Sequence, residues 1–178
     1  MSTIGFDTSN YTTSTAWTDG KTDINVRQIL YVKDGERGIR QSDGVFQHMK
    51  LMPVMYEKLS EQIDFKDVKA VGVSTRPRCV EGSYMPVFLA GEGYAMVVAN
   101  TVGVPLYEFS HQDGHIMAGI YSSGSFELLE NDFISVHLSG GTTEILKSRY
   151  NGFNFDNEII GGSKDISAGQ FIDRVGVK

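Results

Sequence analysis

Short apolar stretches separated by turn residues open the chain. Residues 3–7, 15–17 and 26–32 are rich in β-branched and aromatic side chains, which is typical of strands. Asp19-Gly20 and Asp34-Gly35, which follow the second and third stretches, are strong turn signals. The pattern therefore predicts an antiparallel meander of three strands.

Helical and strand patterns alternate after the meander. Apolar residues recur every three or four positions over residues 43–63, which predicts a helix that Pro53 kinks or splits. His48 on this helix is expected at the surface or half-buried. Residues 68–75 form a nearly continuous apolar run, as in a strand covered on both faces. A helix at 83–102, a strand at 104–107 and a helix ending near residue 121 complete this part.

A segment of small residues, Ser122-Ser123-Gly124-Ser125, follows and is the expected domain boundary. The meander pattern begins again after it. The predicted strands lie at 133–138, 144–149 and 153–160, and a helix opens within 161–174 with Ser163 or Asp165 as its cap.

The predicted order of elements defines a fold class. The order β-β-β-α-β-α-β-α over residues 1–124 is that of the ribonuclease-H-like fold of actin-like ATPases, the ASKHA fold. Residues 125–178 supply the β-β-β-α start of a second such domain. The sequence therefore predicts an α/β protein with one complete and one incomplete domain.

Composition restricts the class of protein further. With 178 residues, 40% apolar and 21% charged, the chain can bury a core and is not of the disordered type. No apolar run could span a membrane and residues 1–10 do not resemble a signal peptide, so we expect no membrane association. The single cysteine, Cys79, excludes an intramolecular disulfide and fits a cytoplasmic location. A net charge of −6 argues against strong binding of nucleic acid by this chain alone.

Two of the four histidines, His111 and His115, are four residues apart after a predicted strand. On a helix they share one face, and two neutral imidazoles at this spacing suit a zinc or iron ion. A further ligand has to come from elsewhere. The alternative is an ordinary helix surface that carries two histidines.

Three segments have the chemistry of anion binding. Two of them offer N–H groups and hydroxyls to a phosphate, and the third offers guanidinium groups to a carboxylate or phosphate. A plain polar hairpin and two solvated surface arginines are the alternatives for the first and the third. The segments are the turn with Asp7, Thr8, Ser9 and Thr12, the loop Ser139-Gly140-Gly141-Thr142-Thr143, and the pair Arg76 and Arg78.

The histidine segment resembles a known motif. His111-Gln112-Asp113-Gly114-His115 is similar to the H-x-E-G-H metal motif of the TsaD/Gcp family. These are the tRNA threonylcarbamoyladenosine transferases, formerly called O-sialoglycoprotein endopeptidases or glycoproteases. Further matches are Gly5-Phe6-Asp7-Thr8-Ser9 to the family's G-I-D/E-T-S, the Ser139 loop to its V-S-G-G-H-T-Q, and Asp165, Ala168, Gly169 and Asp173 to its D-D-A-A-G-E-A-F-D-K helix.

The resemblance implies a transfer reaction and its ligands. Family members move a threonylcarbamoyl group from threonylcarbamoyl-AMP to N6 of adenosine 37 in tRNA. By match, His111 and His115 would hold one divalent metal ion, iron or zinc, and the turn at Asp7 would face the phosphate of ATP or of the adenylate. The tRNA would be bound only with partner subunits, in a homo- or hetero-oligomer with related actin-like-fold proteins. The matched substrate- or nucleotide-binding residues are His137, Leu138, Ser139, Gly140, Gly141 and Asp173.

Several departures set the chain apart from the family pattern. Asp113 replaces the usual Glu, Asn10-Tyr11 the usual Cys-Asp, and Thr142 the usual His. Arg76 and Arg78 replace the two glycines of a G-P-G loop, which implies a different ligand or partner at that loop. The chain is also shorter than family members, so we expect the N-terminal half of a longer protein or a shortened paralogue.

Three other functions stay open on the sequence. A non-catalytic partner or regulatory paralogue of the same fold would bind a nucleotide or another protein. A metallopeptidase, as in the old family description, lacks support because Gln112 stands where a zincin carries its catalytic glutamate. An ATP-dependent kinase of the same superfamily would need an acidic residue as its catalytic base, and the sequence does not indicate which residue that would be.

Overall fold

The computed structural model of the protein describes residues 1–9, 11–33 and 38–176. The predicted turn at Asp34-Gly35 and the departure at Asn10 lie outside the described residues. No helix among the described residues is long and apolar enough to cross a membrane.

The chain divides into two compact units, Met1–His111 and Gln112–Lys178. This division falls at the start of the helix over residues 111–123. The domain boundary predicted from the sequence, after residue 124, lies just beyond the other end of that helix. Where the domains of the fold begin and end stays a prediction.

The first unit is built on a five-stranded mixed sheet in the order β3-β2-β1-β4-β5. The predicted antiparallel meander consists of β1 (Ser2–Asp7), β2 (Thr12–Thr18) and β3 (Asp23–Ile29). β4 (Val68–Arg76) pairs parallel with β1, and β5 (Leu106–Ser110) pairs parallel with β4. Parallel neighbours need crossover connections, and two helices of this unit provide them.

α1 (Gln41–Ser60) continues through Pro53, so of the two predicted effects the split is wrong and the kink stays a prediction. A proline leaves the carbonyl four residues earlier without its helical N–H. That carbonyl belongs to Met49, and the hydroxyl of Tyr94 donates to it at 3.1 Å. The lost helical hydrogen bond is thus replaced by one from the neighbouring helix.

α2 (Phe88–Val102) contributes Tyr94 and begins later than the sequence pattern predicts. Pro86 therefore precedes the helix instead of lying in its first turn. The helix ends at Gly103, whose φ of 76° is the left-handed conformation that glycine adopts at helix ends. The core of the unit consists of Ile4, Phe6, Met52, Leu59, Val68, Val71, Val73, Ala95, Val98 and Ala99.

β5 extends to Ser110, whereas the sequence predicted its end at residue 107. Glu108 and Phe109 continue the parallel pairing by lying opposite Val73 and Ser74 of β4. The backbone hydrogen bonds of the sheet therefore outweigh the polar character of this stretch. α3 (His111–Ser123) begins directly at His111.

The second unit contains a three-stranded antiparallel sheet in the order β6-β7-β8. Its strands are β6 (Phe133–Leu138), β7 (Thr143–Tyr150) and β8 (Phe155–Gly162), which confirms the second meander. α4 (Ala168–Gly176) follows the sheet. The core comprises Ile116, Ile120, Leu146 and Phe155, and 3-10 turns occur at Phe126–Glu130 here and at Phe65–Asp67 in the first unit.

The predicted cap of the last helix is wrong. The hydroxyl of Ser167 accepts a hydrogen bond from the N–H of Gln170 at 3.2 Å, so Ser167 caps α4 in place of Ser163 or Asp165. Gly161 and Gly162 extend β8, which moves the start of the helix further along the chain.

The element order β-β-β-α-β-α-β-α followed by β-β-β-α is the predicted one. Together with the strand order of the first sheet, it confirms the α/β, ribonuclease-H-like fold of the actin-like ATPases.

Candidate functional site

Asp7 and His111 meet at the carboxyl edge of the first sheet. Asp7 ends β1 and His111 follows β5, and parallel strands bring these ends to the same edge. Asp7 Oδ2 lies 2.9 Å from Nδ1 of His111, and the N–H of Ser9 donates to Asp7 Oδ1 at 2.8 Å. The sequence predicted roles for both residues but not their contact, since 104 positions separate them.

The environment of Asp7 keeps its carboxyl group ionised. Burial by itself would raise the pKa of this carboxyl group. The hydrogen bond and charge of His111, together with hydrogen bonds from Ser9 and Ser74, outweigh burial and hold the pKa of Asp7 at about 2. A carboxylate on one ring nitrogen is the usual way in which a metal-binding histidine is oriented.

Thr8, predicted as part of a phosphate-binding turn, is completely buried. Its hydroxyl donates to the carbonyl of Val87 at 2.8 Å and accepts from the N–H of Gly91 at 3.0 Å. It therefore ties the end of β1 to the start of α2. The N–H of Thr12 donates to the carbonyl of Ser9 at 3.1 Å, and Thr12 begins β2. Phosphate binding by this turn stays a prediction.

Arg76 is the last residue of β4, and Arg78 lies two residues beyond it. Arg76 Nη1 donates to the hydroxyl of Thr75 at 3.0 Å, and its Nη2 lies 3.9 Å from Cys79 Sγ. The N–H of Arg78 donates to the hydroxyl of Ser83 at 3.0 Å. Anion binding by the two arginines stays a prediction.

His48 is completely buried, so the expectation of a surface or half-buried residue is wrong. Nδ1 of its ring lies 2.8 Å from the hydroxyl of Thr13, which gives the buried imidazole a polar partner. Burial lowers the pKa of His48 to about 4, against an opposing effect of the Asp7 charge. The ring is therefore neutral at neutral pH.

His115 and His137 are neighbours in the second unit. Their ring centroids lie 5.7 Å apart, one on α3 and the other on β6. Gln112 Nε2 lies 3.3 Å from His137 Nδ1, and Asn157 Nδ2 donates to Gln112 Oε1 at 3.4 Å. Both histidines line a pocket of about 380 Å³.

The sequence analysis gave Gln112 no role in the site. Its position in the sequence could have indicated a role, because helical spacing places Gln112 on the same buried face of α3 as Ile116 and Ile120. A polar side chain on such a face needs a buried polar partner. His137 and Asn157 are those partners here.

The Ser139 loop is closed by its own hydrogen bonds. The hydroxyl of Ser139 accepts from the N–H groups of Gly141 and Thr142 at 3.2 and 2.9 Å. A Cβ on Gly169 would lie 2.6 Å from the carbonyl oxygen of Ser139, so only glycine lets α4 approach the loop this closely. Of the other residues predicted to bind substrate here, Leu138 is the last residue of β6, Gly140 lies within the loop, and Asp173 is exposed on α4. Their contacts with a substrate stay predictions.

Within residues 1–9, 11–33 and 38–176, no cluster of three or more His, Cys, Asp or Glu side chains could hold a metal ion. A bound ion would therefore need further ligands besides the histidines of the described residues. The imidazoles and their polar partners nevertheless fit zinc or iron, which favour nitrogen ligands.

Comparisons with known proteins agree with this fold. "YeaZ from Pseudomonas aeruginosa" superimposes with a TM-score of 0.55 at 11% identity, covering 94% of this chain and 69% of that one. A second solved structure, an uncharacterized protein with similarity to peptidase YEAZ from Pseudomonas aeruginosa, gives a TM-score of 0.52 at 10% identity, covering 88% and 63%. At these identities the likeness concerns the fold alone.

Sequence comparison shows the family. The model of the TsaD family, described as tRNA N6-adenosine threonylcarbamoyltransferase, matches residues 36–177. The protein of that name from Christiangramia forsetii is 30% identical over 126 residues, which are 70% of this chain and 34% of the relative. The protein from Pyrobaculum calidifontis is 27% identical over 173 residues, 96% of this chain and 47% of the relative.

The fold defines an actin-like ATPase-type α/β protein, and the sequence match defines the family within that class. The chain belongs to the TsaD family. It spans between a third and a half of the length of these two curated relatives, 34% and 47%.

Proposed function

We propose that the chain carries part of the machinery that transfers threonylcarbamoyl from threonylcarbamoyl-AMP to N6 of adenosine 37 in tRNA. The observation that carries the proposal is the contact between Asp7 and His111 in a member of the TsaD family. An ionised carboxylate holds the first histidine of the H-x-x-x-H segment, so the segment has the support that a metal ligand needs.

His111 and His115 would hold the metal ion, iron or zinc, because they lie about one helical turn from each other on α3 and share one face of it. The ion would supply a Lewis acid that polarises an oxygen of the acyl group and stabilises charge on it. Asp7 stabilises the imidazole of His111 and fixes the ring nitrogen that faces the carboxylate.

The turn after β1 and the loop between β6 and β7 would each supply phosphate-binding groups for the adenylate or for ATP. Backbone N–H groups in glycine-containing turns bind phosphate oxygens. Arg76 and Arg78 would add positive charge at the end of β4. The net charge of −6 fits a chain that binds tRNA only together with partner subunits in the cytoplasm.

The test is transfer of labelled threonylcarbamoyl from threonylcarbamoyl-AMP to tRNA, with and without partner subunits from the same cell. Asp7→Asn removes the carboxylate charge with little change in shape, and we expect at least a tenfold loss of transfer, the lower end of about 10–100-fold for such supporting groups. Asp43→Asn, at an exposed carboxyl in the first turn of α1, is the matched control and should be unaffected.

Two outcomes would contradict the proposal. Equal transfer by the wild type and by Asp7→Asn would show that the Asp7–His111 contact has no part in the reaction. No transfer by the wild type in any combination of subunits, with nucleotide or partner binding retained, would favour a non-catalytic paralogue.

A further inference from the structure

We propose that two copies of the chain associate at the edge of the first sheet, with β3 of one copy pairing antiparallel with β3 of the other. β3 is the edge strand in the order β3-β2-β1-β4-β5. It pairs with β2 along its whole length without a register shift, and it contains no proline. A regular edge strand of this kind can accept a strand from another chain. Neither the proposal nor its test depends on transferase activity.

The hydrogen-bonding pattern identifies the backbone groups that face outward from β3. The N–H of Leu30 donates to the carbonyl of Tyr11 at 2.8 Å, so Leu30 bonds toward β2. Because inward and outward residues alternate in an antiparallel ladder, the N–H and carbonyl groups of Asn25, Arg27 and Ile29 face outward. Within the described part of the chain, no hydrogen bond reaches these outward groups. They are available to an added strand.

The side chain of Gln47 shows how this edge takes a partner. Its amide accepts from the N–H of Tyr31 at 2.8 Å and donates to the carbonyl of Tyr31 at 3.0 Å. A residue of an added strand would make the same pair of hydrogen bonds. Since Gln47 already occupies the edge at Tyr31, an added strand can pair only along the residues that precede Tyr31.

The charges on β3 favour one antiparallel register. Asp23, Asn25 and Arg27 alternate along the strand, so their exposed side chains lie on one face. When Asn25 lies opposite Asn25 of the second copy, Asp23 lies opposite Arg27, and this ion pair occurs twice. Registers that place Arg27 opposite Arg27, or Asp23 opposite Asp23, bring like charges together, which is unfavourable between neighbouring strands. Opposite charges therefore fix the register of the pair.

The same register suits the other face of β3 and the groove beside it. On the face that packs on the core, the partly buried Ile24 lies opposite Val26 of the second copy, so apolar side chains meet. The turn that begins at Asp19 of the second copy then reaches a groove of about 570 Å³, which Tyr31 and Lys50 help to line. The carboxylate of Asp19 complements the charge of Lys50. Both ends of the strand pair thus gain a further contact.

The first experiment is sedimentation equilibrium of the full chain over a range of concentrations, compared among charge-reversal variants. The wild type should form dimers. Asp23→Arg and Arg27→Asp should each raise the dissociation constant of the dimer at least about tenfold, because twofold symmetry makes each substitution act at two places. An equimolar mixture of both variants should recover the wild-type affinity within about threefold, since its heterodimer again pairs opposite charges.

Glu57→Arg is the matched control. Glu57 is exposed on α1, and its substitution changes the net charge by the same amount as Asp23→Arg. The dimer affinity of Glu57→Arg should stay within about threefold of the wild type, because only the charges on β3 set the register. A loss as large as that of Asp23→Arg would show that net charge alone governs association, which would overturn the proposal.

A second measurement uses the wild type alone. The outward amide hydrogens of Asn25, Arg27 and Ile29 should exchange with solvent more slowly at high protein concentration than at low concentration. The amide hydrogen of Tyr31 is the internal control, because Gln47 already accepts its hydrogen bond. Its exchange rate should not depend on concentration.

Three results would overturn the proposal. The first is a wild type that stays monomeric through the millimolar range. The second is a dimer that neither Asp23→Arg nor Arg27→Asp weakens, or a mixture of the two variants that does not recover affinity, because the charges would then not set the register. The third is a dimer without slower exchange at Asn25, Arg27 and Ile29, since it would form through another surface.

Discussion

Replacement of His111 by alanine should raise the pKa of Asp7 toward its ordinary value of 3.8. In the wild type, burial raises this pKa, and the hydrogen bond and charge of His111, together with the hydrogen bonds of Ser9 and Ser74, outweigh burial and lower the pKa to about 2. His111→Ala removes both interactions of His111 and leaves the burial and the other two hydrogen bonds in place. We therefore expect the pKa of Asp7 in the variant to be clearly higher than in the wild type.

The magnitude follows from linkage. The shift from 3.8 to about 2 corresponds to about 2 kcal/mol of stability from the ionised form. Because the pKa in the folded state is lower than in the unfolded state, this contribution is complete above pH 3.8 and is lost as the pH falls toward 2. In His111→Ala the shift should be smaller, so ionisation of Asp7 should stabilise the folded variant by less than it stabilises the wild type.

The assay is a ¹³C titration of the carboxyl signal of Asp7, assigned with Asp7→Asn, in the wild type and in His111→Ala. Urea unfolding monitored by the fluorescence of Trp17, the only tryptophan, reports the stability of the first unit in parallel. A pKa for Asp7 near 2 in both proteins would refute the reasoning, because His111 could not then be the cause of the shift.

The remaining predictions concern stability. His48 is buried, and its pKa is about 4 in the folded protein against 6.5 when unfolded. The free energy of unfolding should therefore fall by up to about 3 kcal/mol as the pH falls from 6.5 to 4. The urea midpoints of His48→Gln should lack this pH dependence. Gly169→Ala should destabilise the second unit by about 1–3 kcal/mol, measured by thermal unfolding, because the new Cβ would lie 2.6–2.8 Å from backbone atoms. Gly119→Ala on α3 is the control: its Cβ would meet open space, so this substitution should not destabilise the unit. Thr8→Val should cost about 1–3 kcal/mol in urea unfolding, since it removes the hydroxyl that donates to the carbonyl of Val87 and accepts from the N–H of Gly91. An unchanged midpoint would contradict that role.

The order of elements could be predicted from the sequence because each element carries its own periodic pattern. β6 was predicted with the observed bounds, since its apolar run is framed by turn residues on both sides. β5 was predicted too short, because Glu108 and Ser110 lie in the strand through backbone pairing with β4, which side-chain polarity does not reveal.

The contacts of the candidate site could not be predicted, because they join distant parts of the chain. The spacing of His111 and His115 was visible, whereas the carboxylate that holds His111 comes from β1. The burial of His48 depends on Thr13, 35 positions away, and the continuity of α1 through Pro53 depends on a hydroxyl from α2. Local patterns predict elements, and the partners of buried polar groups follow only from the fold.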